Sequence, residues 1–131
     1  YQLSRRRSLK RADADLWALA GLYVALGAAY VLFEKVIINY RPVILPTETA
    51  LEASFPSSHT MLAVCLVSSA LVQAERRIAN QKVLFLLDVL GVLMMMVMSV
   101  GRLASGVHWL TDIIGGVLLS TGLSALYAAM C

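Results

Sequence analysis

Late in this 131-residue chain stands the stretch GRLASGVHWLTD, Gly101 to Asp112, set between two apolar runs. It holds an arginine, a histidine and an aspartate. His108 and Asp112 are four residues apart, so a helix beginning at Trp109 places them on one face, a turn from each other. A carboxylate that accepts a hydrogen bond from one imidazole nitrogen fixes the tautomer and frees the other nitrogen for attack. Arg102 supplies a planar fork of donors that matches phosphate. A second stretch, FPSSHT at 55–60, sets His59 at the mouth of another apolar run, and a third, 35–42, brings Lys35 and Arg41. Singly, each has a plainer reading. His108 could be an interfacial histidine bonded to Asp112, His59 could follow a serine N-cap at Ser57 or Ser58, and the arginines could be snorkelling anchors.

The composition says what carries these pieces. Hydrophobic residues make up 60% of the chain and charged residues 15%, too apolar for a soluble domain of this size. Four apolar runs stand out: Leu16–Phe33, Thr60–Ala74, Val83–Val100 and Trp109–Cys131. Three of them are close to the roughly 20 residues that cross a bilayer as a helix, and Thr60–Ala74 is shorter, with the preceding turn available to extend it. Backbone groups in lipid must be satisfied within the segment, and no strand pattern is present. The expected fold is therefore all-α: a polytopic membrane helix bundle of four spans over 16–131, preceded by a basic segment at 1–15. Asp15 is the expected N-cap of the first span. The prolines at 42, 46 and 56 make the connection between the first two runs irregular. Gly101–Val107 reads as a break between the last two runs.

The sidedness of the charges adds a functional argument. Residues 1–15 carry five basic residues, and the 75–82 turn carries Arg76, Arg77 and Lys82. With four alternating spans these lie on one face, which the positive-inside rule makes cytoplasmic. Lys35, Arg41, Arg102, His59 and His108 all fall on the other. Asp88, inside the third run, reads as a residue reaching interfacial water. Trp17 and Trp109, near span ends, read as interfacial anchors. The methionines at 94–98 read as packing, and Cys65 and Cys131 as buried free thiols. The polar, basic N-terminus is unlike a signal peptide. A chain opening on Tyr and closing inside an apolar run suggests a piece of a longer protein.

The three stretches together resemble the type 2 phosphatidic acid phosphatase superfamily, whose signature has three parts. The last, Ser-Arg, five residues, His, three residues, Asp, is matched by Arg102, His108 and Asp112, with Gly101 in place of Ser. The second, Pro-Ser-Gly-His, appears as Pro56-Ser57-Ser58-His59. The first, Lys, six residues, Arg-Pro, appears as Arg41-Pro42, with Lys35 one residue too close and Glu34 at the usual spacing. On a helix that step of one residue turns the side chain by roughly 100°, about a third of a turn. The family core has six spans, with the first motif after the third. The resemblance thus implies that two N-terminal spans are missing here, or that this is a reduced form.

What the resemblance implies chemically is two-step phosphoryl transfer. His108 attacks phosphorus and becomes phosphohistidine, Asp112 orients it, and His59 protonates the leaving oxygen and then activates water. Arg102, Arg41, Ser57, Ser58 and Lys35 would bind the phosphate. The scheme uses no metal and no cofactor. The implied activity is hydrolysis of a lipid phosphate or pyrophosphate, polyprenyl or glycerolipid, at the non-cytoplasmic face of a bacterial cell membrane. No nucleic-acid partner is expected. A lipid head-group phosphotransferase and a non-catalytic binder of anionic lipid remain as alternatives.

Overall fold

The computed structural model describes residues 9–44 and 49–131. Among them are four helices: α1 (Leu9–Lys35), α2 (Ser58–Glu75), α3 (Gln81–Ala104) and α4 (Leu110–Met130). The fold is all-α, as the apolar runs require. Three helices are long and apolar enough to cross a membrane: α1 from Ala14, α3 and α4. The fourth, α2, is the shortest at 18 residues. It is also the inner one, packed against both α3 and α4. Thr60, Met61, Ala63, Val64, Cys65, Val67 and Ser69 along it are buried. This buried face meets protein rather than lipid, so it tolerates Thr60 and Ser69.

Two boundaries differ from expectation. The first helix begins at Leu9, so Asp15 is an interior residue rather than a cap. The stretch LKRADAD is rich in good helix formers and continues the span as helix beyond its apolar part. Of the basic segment at 1–15, residues 1–8 lie outside the described residues. The third helix runs through Gly101 and Arg102 to Ala104. The break is therefore only Ser105–Trp109, where Gly106 takes φ of +70°, a left-handed conformation that glycine adopts freely.

The core beneath the site joins α1, α2 and α4 through Leu22, Leu26, Met61, Cys65 and Tyr127. Polar side chains within the bundle bond across helices or back to the backbone. Tyr23 bonds Ser69 at 3.1 Å, and the Ser120 hydroxyl donates to the Met61 carbonyl at 3.1 Å. Neither thiol is in a disulfide. Outside the helices, residues 39–41 and 52–54 pair briefly as antiparallel backbone. Arg41 N donates to Glu52 O and Ser54 N to Asn39 O, both at 2.9 Å. This two-rung clasp brings Arg41 and Ser54 to one place.

The start of α4 packs tightly on the turn that opens α2. A methyl group at Gly115 would lie 2.3 Å from the Phe55 ring, and one at Gly116 would lie 3.1 Å from Ser57 O. Gly115→Ala should therefore force Phe55 aside and lower stability by about 1–3 kcal/mol, the usual cost of overpacking. Thermal unfolding in detergent checks this. Gly122→Ala, with open space around its added carbon, should leave the midpoint unchanged or slightly raised.

Candidate active site

The site forms where the C-terminal ends of α1 and α3 meet the N-terminal ends of α2 and α4. Its centre is His108, 4% exposed. The turn at 105–109 folds His108 back toward the end of α3, so Arg102 Nη2 lies 3.1 Å from His108 Nε2. A guanidinium has only donors, so Nε2 is the acceptor and the proton sits on Nδ1. That proton has two candidate acceptors. The Ser54 carbonyl is 3.1 Å away and Asp112 Oδ2 is 3.5 Å away. The tautomer is thus set from both sides, and the lone pair is on Nε2.

Asp112 is wholly buried and has a second task. Its Oδ2 accepts from the backbone N–H of Trp109 at 2.9 Å, capping α4. His108 therefore lies just before the helix and Asp112 in its first turn, and the four-residue spacing brings them together across the cap. Trp109 also ties this turn to the clasp, its indole N–H donating to Tyr40 O at 2.9 Å. Ser57 N donates to Asp112 O at 3.0 Å, which joins the two helix starts.

The remaining expected residues fall into three groups. Arg41 and Ser58 line a cleft with His108, of about 100 Å³. His59 lies on the rim of an adjoining groove, with Ser58 Oγ 3.5 Å from its Nδ1, and Arg41 and Arg102 are close enough to act on its charge. Ser57 and Lys35 stand apart. The Ser57 hydroxyl is buried and accepts from Thr60 Oγ1 at 3.1 Å and from Thr60 N at 3.5 Å, so it caps α2 instead of facing the cleft. Lys35 is exposed and Glu34 lines the cleft in its place. The physical reason is helical phase: α1 continues through both residues, and one step along it turns the side chain away.

Two residues outside the motifs also belong to the site. Ser54 contributes its carbonyl to His108 and lines the cleft, and its hydroxyl is buried without a partner. Glu52 Oε2 lies 3.0 Å from Arg41 Nε, although not aligned as a hydrogen bond. Neither could be found from spacing, because a backbone carbonyl has no sequence signature and the clasp is a tertiary feature. Asp88 lies at the opposite end of the bundle, beside Glu75 and Gln81.

Compared with known protein families, residues 15–130 match the PAP2 superfamily. The chain belongs to the PAP2 superfamily. Among curated proteins and solved structures, none matches the chain at a significant level. The match covers α2, α3 and α4 and nearly all the apolar part of α1, so the arrangement around His108 is built on a phosphatase-type PAP2 fold.

Burial holds the His108 pKa below its ordinary 6.5; Arg102 and then Arg41 lower it further, while Asp112 opposes them. His108 is therefore neutral at pH 7 and gains its proton only as the pH falls through that lowered value. In a ¹⁵N NMR titration, its ring should titrate below 6.5. Arg41→Gln, which removes one of the two cations, should move the midpoint up. Asp112→Asn, which removes the opposing carboxylate, should move it further down.

Proposed function

We propose that this protein is an integral membrane phosphatase that hydrolyses a lipid phosphate or pyrophosphate through a phosphohistidine intermediate. The observation that carries this reading is a set of buried donors with no aligned acceptor. Arg102 Nε and the Ser54 hydroxyl are buried without a hydrogen-bond partner, Arg41 Nε is buried with only the misaligned Glu52 carboxylate 3.0 Å away, and all three residues stand around His108. A buried donor left unpaired costs about 1–3 kcal/mol. Three around one nucleophile are accounted for by an anion that accepts from them, and phosphate suits arginine best.

The reaction follows from the same contacts. An arriving phosphoryl group draws the Arg102 fork from His108 Nε2 and thereby frees the nitrogen lone pair. Nε2 then attacks phosphorus as the bond to the leaving oxygen breaks, and His59 gives that oxygen a proton. The imidazole becomes cationic, and its Nδ1–H is stabilised by Asp112. Deprotonated His59 next takes a proton from water, whose oxygen displaces the phosphorus–nitrogen bond. Inorganic phosphate leaves and His108 returns neutral. Arg41 and Arg102 offset the charge on the equatorial oxygens throughout.

Two further features support a lipid substrate on the non-cytoplasmic side. The groove beside His59 is about 420 Å³ and mostly apolar, walled by Tyr23, Leu26, Gly27 and Tyr30 of α1 and by Met61 and Leu62 of α2. It shares Tyr30, Ser58 and Met61 with the cleft, so a phosphate in the cleft can extend a hydrocarbon chain along it. Arg76, Arg77 and Lys82 stand at the opposite end of the bundle, as the positive-inside rule places cytoplasmic charge. We assign the site to the non-cytoplasmic face of the membrane.

Phosphate release from detergent-solubilised polyprenyl and glycerolipid phosphates, with EDTA present, tests the reading. Release should persist in EDTA and be abolished in His108→Ala. Arg102→Ala should lower kcat/KM by about 10²–10³, the scale of one lost transition-state donor. Full activity in His108→Ala would refute the mechanism. The groove is tested separately. A Cβ at Gly27 meets open space, so Gly27→Phe should fold normally and fill the groove. It should raise KM for long-chain phosphates and leave short-chain phosphate monoesters unaffected.

A further inference from the structure

The cleft at His108 is not lined as a plain anion site. Its lining holds Arg41 and two carboxylates, Glu34 and Glu52, and Arg102 reaches the same end beside His108. Glu52 is compensated by Arg41. Glu34 has no hydrogen-bond or ion-pair partner among the described residues. It sits in the last turn of α1, at the negative end of the helix dipole, where a carboxylate is disfavoured. A lone phosphate leaves that charge uncompensated.

The neighbours of Glu34 suit the opposite charge. Tyr30, Phe33 and Phe55 line the same cleft. The Phe33 and Phe55 rings meet edge to face, with centroids 5.7 Å apart. Aromatic faces beside a carboxylate attract ammonium groups. Ser54 joins this end to the phosphoryl end: its carbonyl bonds His108, the next residue is Phe55, and its unpartnered hydroxyl is 2% exposed. Among the described residues no three His, Cys, Asp or Glu are grouped to hold a metal ion, which favours an organic cation.

We propose that this end of the cleft is an ammonium subsite, and that the substrate is a phosphoester whose leaving group carries an amine close to the phosphate. The proposal rests on the phosphatase reading for its phosphoryl end. Arg41 and Arg102 take the phosphoryl oxygens, Glu34 and the aromatic rings take the amine, and the Ser54 hydroxyl gains its partner from the bound molecule.

Binding tests this apart from turnover. The probes are dodecylphosphonate and 2-aminododecylphosphonate, which cannot be hydrolysed. Their affinities for the full chain in detergent are measured by titration calorimetry, with and without EDTA. The amine should bind about fivefold more tightly, the scale of a cation–π contact at an exposed site. Glu34→Gln should bring the ratio close to one by weakening only the amine ligand. Glu34 is exposed, so an unchanged thermal midpoint should show that the variant folds. Equal binding of both probes, an equal loss for both in Glu34→Gln, or a preference lost in EDTA would overturn the subsite. Tighter amine binding without phosphate release from any lipid would keep the subsite and defeat the phosphatase reading. No binding of either probe would defeat both.

Discussion

The structure depends on how the proton of one buried imidazole is held. His108 meets Arg102 at Nε2 and the Ser54 carbonyl at Nδ1, with Asp112 just beyond. These three partners come from the end of α3, the loop before α2 and the first turn of α4. The imidazole therefore holds three chain segments in register, and the tautomer that stabilises them is the one a nucleophile needs. Asp112 links the two functions, because the oxygen nearest His108 also caps α4. Its other oxygen, Oδ1, is buried without a partner, a reserve of negative charge beside the ring that becomes cationic in the proposed reaction.

The bundle exists to bring helix ends together. The two tight glycines at 115 and 116 let α4 close on Phe55 and Ser57. Ser57 and Thr60 are then consumed in capping and packing. The division of labour within Pro56-Ser57-Ser58-His59 follows: Ser57 shapes the turn, while Ser58 and His59 face the cleft and the groove. The clasp between 39–41 and 52–54 does for Arg41 what the turn at 105–109 does for Arg102. It turns a loop residue inward, to 14% side-chain exposure. The two arginines stand close enough to repel each other, and Glu52 offsets only the charge of Arg41.

Much of this was legible in the chain itself. Arg102, His108 and Asp112 lie within eleven residues, so local geometry decides their meeting. Charge patterning placed the site at one end of the bundle because arginines and lysines in an apolar protein have few places to be. The all-α fold followed from the length of the apolar runs. What stayed hidden was set by tertiary contacts or by helix phase. Ser54 acts through a backbone carbonyl, which any residue possesses. The spacing already put Glu34 in the phase usual for the lysine, but whether α1 stays helical through its last turn, which decides between Glu34 and Lys35 at the cleft, did not show in it. The helix α3 also continues past Gly101 to Ala104, because a single glycine lowers helix propensity without ending a helix.

The central claim is that Nε2 of His108 bonds to phosphorus. The most direct measurement is acid-free, alkaline quenching of the protein during turnover of a lipid phosphate, followed by peptide mass spectrometry. The His59→Ala variant is used so that loss of the water-activating base lets the intermediate accumulate. The account predicts a phosphate adduct on the peptide containing His108, stable in alkali and lost in acid, and none in the His108→Ala, His59→Ala double variant. Phosphate found on another residue, or turnover with no adduct at any quench time in the His59→Ala variant, would contradict it.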